Sequence, residues 1–305
     1  MGKTAFLFPG QGAQYVGMAK DIYENSIAAQ NIVKEAEEAI KFKLSEIMFE
    51  GPMDSLKQTD VTQPAIFLHS VVLSKLFNKV KPDMTAGHSL GEYSALVASG
   101  AMNFTEAIKL VRFRGQSMLQ AGIDNPGTMA AVIGLSIEQI EEVCAEASSA
   151  GIVQGANYNS PGQVVISGSV AGVQKAMELC KSKGCRMVKE LVVSGAFHSP
   201  LMQSAKDALK AKLDASDIKD AEVSVYANVT AKPVKNSSDI KKLLFEQVTA
   251  PVRWEETIIN MIDDGADNFI EIGPGKVLQG LVKRINPDVK VSGIDKFTEL
   301  ENFSL

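Results

Sequence analysis

The sequence predicts an α/β protein with a small subdomain inserted near its middle. Along the 305 residues, apolar β-branched runs alternate with stretches of helical periodicity. Four consecutive turn formers, Asp124-Asn125-Pro126-Gly127, interrupt that alternation and mark the best boundary in the chain. Beyond them the elements fall in the order β-α-β-β-α-β until about Val193, after which the first pattern resumes.

Taken in order, Thr4–Phe8 reads as a buried strand closed by the turn Pro9-Gly10-Gln11-Gly12. Helices follow at Ile27–Ala39 and at Pro64–Phe77, where Leu68, Val72 and Leu76 share one face. A short strand, Met84–Gly87, leads into a helix at Glu92–Ser99, and Thr105–Ala121 is a third strong helix. Past the boundary come a strand (Met129–Gly134), a helix with Ser136 as N-cap and Glu138 in its first turn, and a strand (Ile152–Tyr158). The turn Asn159-Ser160-Pro161-Gly162, a strand (Gln163–Ser167), a helix (Ala171–Lys183) and a strand (Arg186–Val192) complete this part. That order is ferredoxin-like and closes as a four-stranded sheet with two helices on one face. Residues 127–193 are therefore expected to form the insert, within a discontinuous larger domain of residues 1–126 and 194–305. The larger domain resumes with a helix from Pro200, a strand at Val223–Asn228, a helix at Trp254–Asp263, a strand at Asn268–Ile272 and a last helix after Gly273-Pro274-Gly275.

Composition narrows the function classes. With 45% apolar, 22% charged and 6% aromatic residues, the chain is neither disordered nor collagen-like nor a disulfide scaffold. Its three cysteines, Cys144, Cys180 and Cys185, cannot all pair and lack metal-ligand spacing, which suits a reducing compartment. Met1–Gly10 is too short for a signal peptide core, and every apolar run ends well before the ~20 residues of a membrane span, so a cytoplasmic location is expected. The net charge is −5 and no basic cluster interleaves with aromatics, so neither nucleic acid nor membrane is an expected partner.

Chemistry is carried first by Gly87-His88-Ser89-Leu90-Gly91, a G-x-S-x-G pattern between a strand and a helix. Small flanking residues permit the strained turn that exposes a serine hydroxyl, and the helix N-terminus favours a developing oxyanion. Such a hydroxyl needs a base, and the chain offers only His69, His88 and His198. His69 falls within a helix, and His88 precedes the serine and should point away from it. His198 sits on a loop at a helix start, with Ser199 as N-cap and Pro200 at the first helical position, and is the best candidate. No orienting acid is uniquely identifiable between Ser89 and His198, so a dyad is expected, its imidazole held by a carbonyl oxygen. Asn157, Asn159 and Gln247 are polar candidates for that neighbourhood. The amide of Leu90 and one from the first loop, at Gln11, fit an oxyanion hole. Arg114 shares a helical stripe with Ala107, Val111 and Met118 and so faces the core, where either an internal carboxylate or a substrate carboxylate must neutralise it. Periodicity slightly favours the internal pair, and it leaves Arg112 as a solvated or phosphate-facing charge.

Together with Gly10-Gln11-Gly12-Ala13-Gln14, Asn157-Tyr158-Asn159-Ser160-Pro161-Gly162-Gln163, Gly195-Ala196-Phe197-His198-Ser199-Pro200 and Glu271-Ile272-Gly273-Pro274-Gly275, these residues closely resemble the malonyl-CoA:acyl carrier protein transacylases of fatty acid synthesis. The resemblance runs from Phe8 to Gly275 and implies an α/β-hydrolase-like large domain around the ferredoxin-like insert. It implies that Ser89 is acylated by malonyl-CoA with His198 as base and then acid. It also implies that Arg114 binds the malonyl carboxylate, that Gln11 and Leu90 form the oxyanion hole, that Asn157 lines the substrate site and that the Gln247 carbonyl orients the imidazole. Phe197 before His198 resembles malonyl-selective members. The implied partners are malonyl-CoA and holo acyl carrier protein; the coenzyme A thioester is a substrate, and no cofactor or metal is expected. Carrier docking is expected at a basic patch, either Lys181, Lys183, Arg186 and Lys189 or Lys276, Lys283 and Arg284. A serine esterase or thioesterase using the same dyad is the alternative activity, and a non-catalytic carrier-docking module the alternative from another class.

Overall fold

The computed structural model describes residues 2–304. In chain order its strands and helices are β1 (Lys3–Phe8), α1 (Lys20–Asn25), α2 (Ile27–Ile40), α3 (Leu44–Glu50), α4 (Met53–Leu56), α5 (Thr59–Leu76), β2 (Met84–Gly87), α6 (Gly91–Ala98) and α7 (Phe104–Asp124). Next come β3 (Gly127–Ile133), α8 (Ile137–Ala147), β4 (Val153–Ser160), β5 (Gln163–Ser169), α9 (Val170–Ser182) and β6 (Met187–Glu190). A 3-10 turn at Pro200–Met202 then runs into α10 (Gln203–Ala215), followed by β7 (Ser224–Tyr226), β8 (Pro233–Val234), α11 (Ser237–Gln247), α12 (Trp254–Asp263), β9 (Ala266–Ile272), α13 (Val277–Ile285), β10 (Lys290–Ile294) and α14 (Phe297–Asn302).

The fold is mixed α/β with two sheets. The larger has six strands in the order β10-β9-β1-β2-β7-β8, parallel except for the β7–β8 pair. From β1 the chain moves outward through β2 and β7, then returns to the other side of β1 with β9 and β10. The strand order reverses between β1 and β9, and the carboxyl ends of β1 and β2, where Phe8 pairs with Gly87, lie beside that switch point, where open α/β sheets form their ligand crevice. The second sheet is antiparallel, β4-β5-β3-β6, and comes from one continuous stretch with α8 and α9. Strand alternation gives β3 two faces: Ala130 and Val132 pack with Ile140, Val143 and Val173 in a core of their own, while Met129 joins the main core. This second face looks toward the carboxyl ends of β1 and β2 and walls the site.

Several boundaries differ from the sequence reading for identifiable reasons. Helix α5 begins at Thr59 instead of Pro64, because the proline is accommodated inside the helix. Its missing N–H frees the Asp60 carbonyl, which accepts instead from Arg112 Nη1, while Arg112 also pairs with the Asp60 carboxylate at 3.3 Å. Arg112 is thereby a helix-bracing residue, correcting its expected solvated or phosphate-facing role. Helix α7 runs on to Asp124, so the boundary turn shrinks to Asn125-Pro126. The chain does not end on α13, since β10 extends the large sheet and α14 follows it. Ser136 caps α8 as expected and forms a capping box with Gln139.

Candidate active site

The Ser89 turn is shaped by close backbone packing. A Cβ on Gly91 would overlap the Phe8 carbonyl oxygen, and one on Gly10 would overlap that of His88, so the loops after β1 and β2 cross in contact only because both residues are glycine. Ser89 adopts a left-handed φ of 51°, an unfavourable conformation for a serine that must be enforced by its surroundings. The enforcing group is Asn228, just beyond β7: its Oδ1 accepts the Ser89 N–H at 2.6 Å and its Nδ2 donates to the Gly87 carbonyl at 2.7 Å. At the other side, Gln247 Nε2 donates to the Ser89 carbonyl at 3.0 Å.

His198 comes from the loop before the 3-10 turn and also has a positive φ, 57°. Its Nε2 lies 2.8 Å from Ser89 Oγ, and its Nδ1 lies 2.9 Å from the Gln247 carbonyl and 3.1 Å from that of Ala250. Carbonyls only accept, so Nδ1 carries the hydrogen, Nε2 presents its lone pair and the serine hydroxyl donates to it. Burial foremost, and then the positive charge of Arg114, push the imidazole pKa down to about 3, leaving a neutral ring as the resting form.

Arg114 projects from α7 into the same point and is 1% exposed. Its Nη1 donates to Gln63 Oε1 at 2.7 Å, and its Nη2 donates to Gln247 Oε1 at 2.9 Å and Ser89 Oγ at 3.2 Å. The internal ion pair slightly favoured from periodicity is not formed: among the described residues neutral amides hold the guanidinium, and Nε has no acceptor. A buried cation solvated by amides, with a donor to spare beside a serine hydroxyl, has the chemistry to bind an anion.

The remaining predicted residues divide. Gln11 and Leu90 line the cavity at Ser89, and neither backbone N–H has an acceptor among the described residues, as an oxyanion hole requires. That cavity is small, about 110 Å³, with Met118, Met129, Leu191 and Phe197 as its apolar wall. Asn157 faces it too, and a further cavity of about 220 Å³ shares Gln11, His88, Asn157 and Leu191 and opens toward Val277 and Leu281 of α13. His88 points away from Ser89, its Nε2 2.9 Å from Asn159 Oδ1, so Asn159 braces the turn and is not among the groups that hold the His198 imidazole. His69 is fully buried, its Nε2 2.9 Å from the Asp295 carbonyl, remote from this chemistry. A larger cavity, about 620 Å³, lies behind α7 near Phe42 and Arg112 and shares no lining residue with the cavity at Ser89.

Three residues of the site went unread in the sequence. Gln63 and Asn228 carry no motif, and Glu92 stands beside one. Glu92 is 3% exposed; its Oε2 accepts from Gln247 Nε2 at 2.8 Å and from the Asn228 N–H at 3.0 Å. A glutamate in the first turn of an apolar helix directly after G-x-S-x-G was the available signal. Among the described residues, no group of His, Cys, Asp and Glu is arranged to hold a metal ion, and no helix is long and apolar enough to cross a membrane.

A serine on a tight turn, a neutral imidazole, free amide donors and a buried cation form the equipment of a covalent acyl-transfer enzyme. The family model described as acyl transferase domain matches residues 5–293. The malonyl CoA-acyl carrier protein transacylase of Bacillus subtilis (strain 168) is 48% identical over 297 residues, 96% of this chain and 94% of that protein. Among solved structures, an acyl carrier protein S-malonyltransferase from Vibrio cholerae O1 biovar eltor superposes with a TM-score of 0.94 at 40% identity, covering 98% of this chain and 99% of that one. A malonyl-transacylase in complex with its type II PKS acyl-carrier protein gives a TM-score of 0.95 at 36% identity, with 98% of each chain covered. The chain belongs to the acyl transferase family and is an acyltransferase.

Proposed function

We propose that this acyltransferase moves a malonyl group from its coenzyme A thioester to the phosphopantetheine thiol of an acyl carrier protein, through a malonyl ester on Ser89. Ser89 Oγ attacks the thioester carbonyl as its proton passes to His198 Nε2, and the N–H groups of Gln11 and Leu90 receive the oxyanion. The C–S bond then breaks, and the proton on Nε2 goes to the departing thiolate. The carrier thiol reverses the sequence, losing its proton to Nε2 and leaving with the acyl group. Both half-reactions exchange one acyl bond for another, so no redox group, nucleotide or metal is called for. We read the architecture in the same way, as an α/β-hydrolase-like domain of residues 1–126 and 194–305 carrying a ferredoxin-like unit, residues 127–193.

The observation that carries this reading is Arg114 Nη2 at 3.2 Å from the nucleophile with no anionic partner. An acyl group ending in a carboxylate supplies the missing partner; an acetyl group leaves the cation desolvated and unpaired, a difference of about 2–5 kcal/mol for a buried charge-assisted contact. For the carrier's acidic surface, exposed Lys181, Arg186 and Lys189 of one cluster and Lys283 and Arg284 of the other are without carboxylate partners among the described residues, whereas Lys183 is paired with Glu142 and Lys276 with Glu299. Initial-rate kinetics with malonyl-CoA and holo carrier test the scheme. Parallel double-reciprocal lines are expected, and intersecting lines that demand a ternary complex contradict it.

A further inference from the structure

Arg114 has no counter-ion in contact, yet a carboxylate stands one amide away. Arg114 Nη2 donates to Gln247 Oε1 at 2.9 Å, and Gln247 Nε2 donates to Glu92 Oε2 at 2.8 Å, so a single carboxamide links the cation to the anion. The Asn228 N–H adds a second donor to the same carboxylate oxygen, and Asn228 in turn holds the Ser89 turn. The other ionisable groups around Glu92 are Tyr93 on its own helix and, across the Gln247 carbonyl, His198; among the described residues no second carboxylate is part of this cluster.

We propose that Glu92 is the resting counter-ion of Arg114 and that the substrate carboxylate takes over this role, so that malonylation of Ser89 draws a proton onto Glu92 whereas acetylation does not. This rests on the malonyl reading given above. Two hydrogen-bond donors and the nearby cation favour the charged carboxylate, whereas burial opposes it; burial wins enough to lift the pKa to about 7. A group so balanced responds to small changes. When a malonyl carboxylate settles on Arg114, it adds a like charge behind the same amide that offsets the cation's attraction for Glu92, and this raises the pKa further. An acetyl group brings no charge and has no such effect. Glu92 thus becomes a specificity-determining group that never touches the substrate: in its charged form it opposes the very carboxylate that Arg114 selects.

The chemistry makes the proton count clean. Converting a serine hydroxyl and a thioester into an ester and a thiol neither consumes nor releases a proton at neutral pH, so any net uptake belongs to the protein. In weakly buffered solution near pH 7 with an indicator dye, wild-type protein mixed with malonyl-CoA is expected to take up a substantial fraction of one proton per adduct, counted by intact mass. Acetyl-CoA is expected to give essentially none per adduct. The isosteric Glu92→Gln variant keeps an oxygen for both donors and removes the titration; its malonyl uptake should vanish. In the wild type, KM for malonyl-CoA should rise above pH 7, by at most about tenfold per pH unit as a single linked proton allows, and this rise should be absent in Glu92→Gln. Equal uptake for malonyl and acetyl adducts in the wild type overturns the proposal without reliance on any variant. Undiminished uptake in Glu92→Gln also overturns it and assigns the proton to His198. Absence of a malonyl adduct is a different failure and removes the malonyl reading itself.

Discussion

Replacing Arg114 with alanine probes three consequences of one buried cation. The side chain is 1% exposed and donates to Gln63, Gln247 and Ser89. Without it, a malonyl carboxylate enters a desolvated pocket with no charge to meet it, a loss of about 2–5 kcal/mol, which at about 1.4 kcal/mol per decade lowers kcat/KM for malonyl-CoA roughly 30- to several-thousand-fold. Acetyl transfer loses no partner and is freed from a cation with no anion in direct contact, so it should be retained or rise. The preference for malonyl over acetyl should therefore collapse or invert. Arg114 is also the second cause holding the His198 pKa down, so the imidazole should become a stronger base and its protonation should move to higher pH. The assay is carrier acylation from each thioester at saturating carrier, with thermal melting to confirm that the variant folds despite the stranded carboxamide oxygens of Gln63 and Gln247. A malonyl-to-acetyl ratio unchanged from wild type refutes the reasoning.

Three further outcomes follow from the same geometry. Because burial lowers the His198 pKa, the catalytic neutral form persists as pH falls through the ordinary histidine range, so kcat/KM for acetyl-CoA should stay level to about pH 5; an acid limb centred near 6.5 contradicts this assignment. Asn228→Ala strands the buried Ser89 N–H and Gly87 carbonyl, each unsatisfied group costing about 1–3 kcal/mol, and releases the left-handed Ser89; the melting temperature should drop by several degrees and kcat should fall more than KM changes. Gly91→Ala drives a methyl group into the Phe8 carbonyl, and both stability and transfer should fall; wild-type rates would show that the crossing of the two loops is looser than described.

What the sequence disclosed depended on how local the cause was. The Ser136 N-cap of α8 and the buried stripe of α7 are set by spacing within one element, and both are legible from it, although the Gln139 half of the capping box is not among the residues read there. The two glycines at the loop crossing are legible as turn formers, though not as a contact between β1 and β2, since their constraint comes from a strand 79 positions away in the β1–β2 register, as in Ala5 opposite Met84. The start of α5 is not legible because Pro64 sits inside the helix, with the Asp60 carbonyl it leaves free taken by Arg112, a residue of another helix. Arg114 could be placed in the core by periodicity, yet its partners are carboxamides from α5 and α11, and no pattern in α7 encodes them. Asn228 and Glu92 were hidden for the same reason: each acts through hydrogen bonds to distant backbone or side chains, and a single polar letter in an apolar context has many uses.

The central claim is a malonyl group carried on Ser89 between two thiols. Its most direct test is intact-protein mass spectrometry after brief exposure to malonyl-CoA, with peptide mapping, followed by a chase with holo acyl carrier protein or with buffer alone. A malonyl adduct on Ser89 that survives in buffer and discharges onto the carrier is the predicted result. An adduct lost equally fast to water would make the protein a hydrolase, and no adduct on Ser89 would contradict the account at its base.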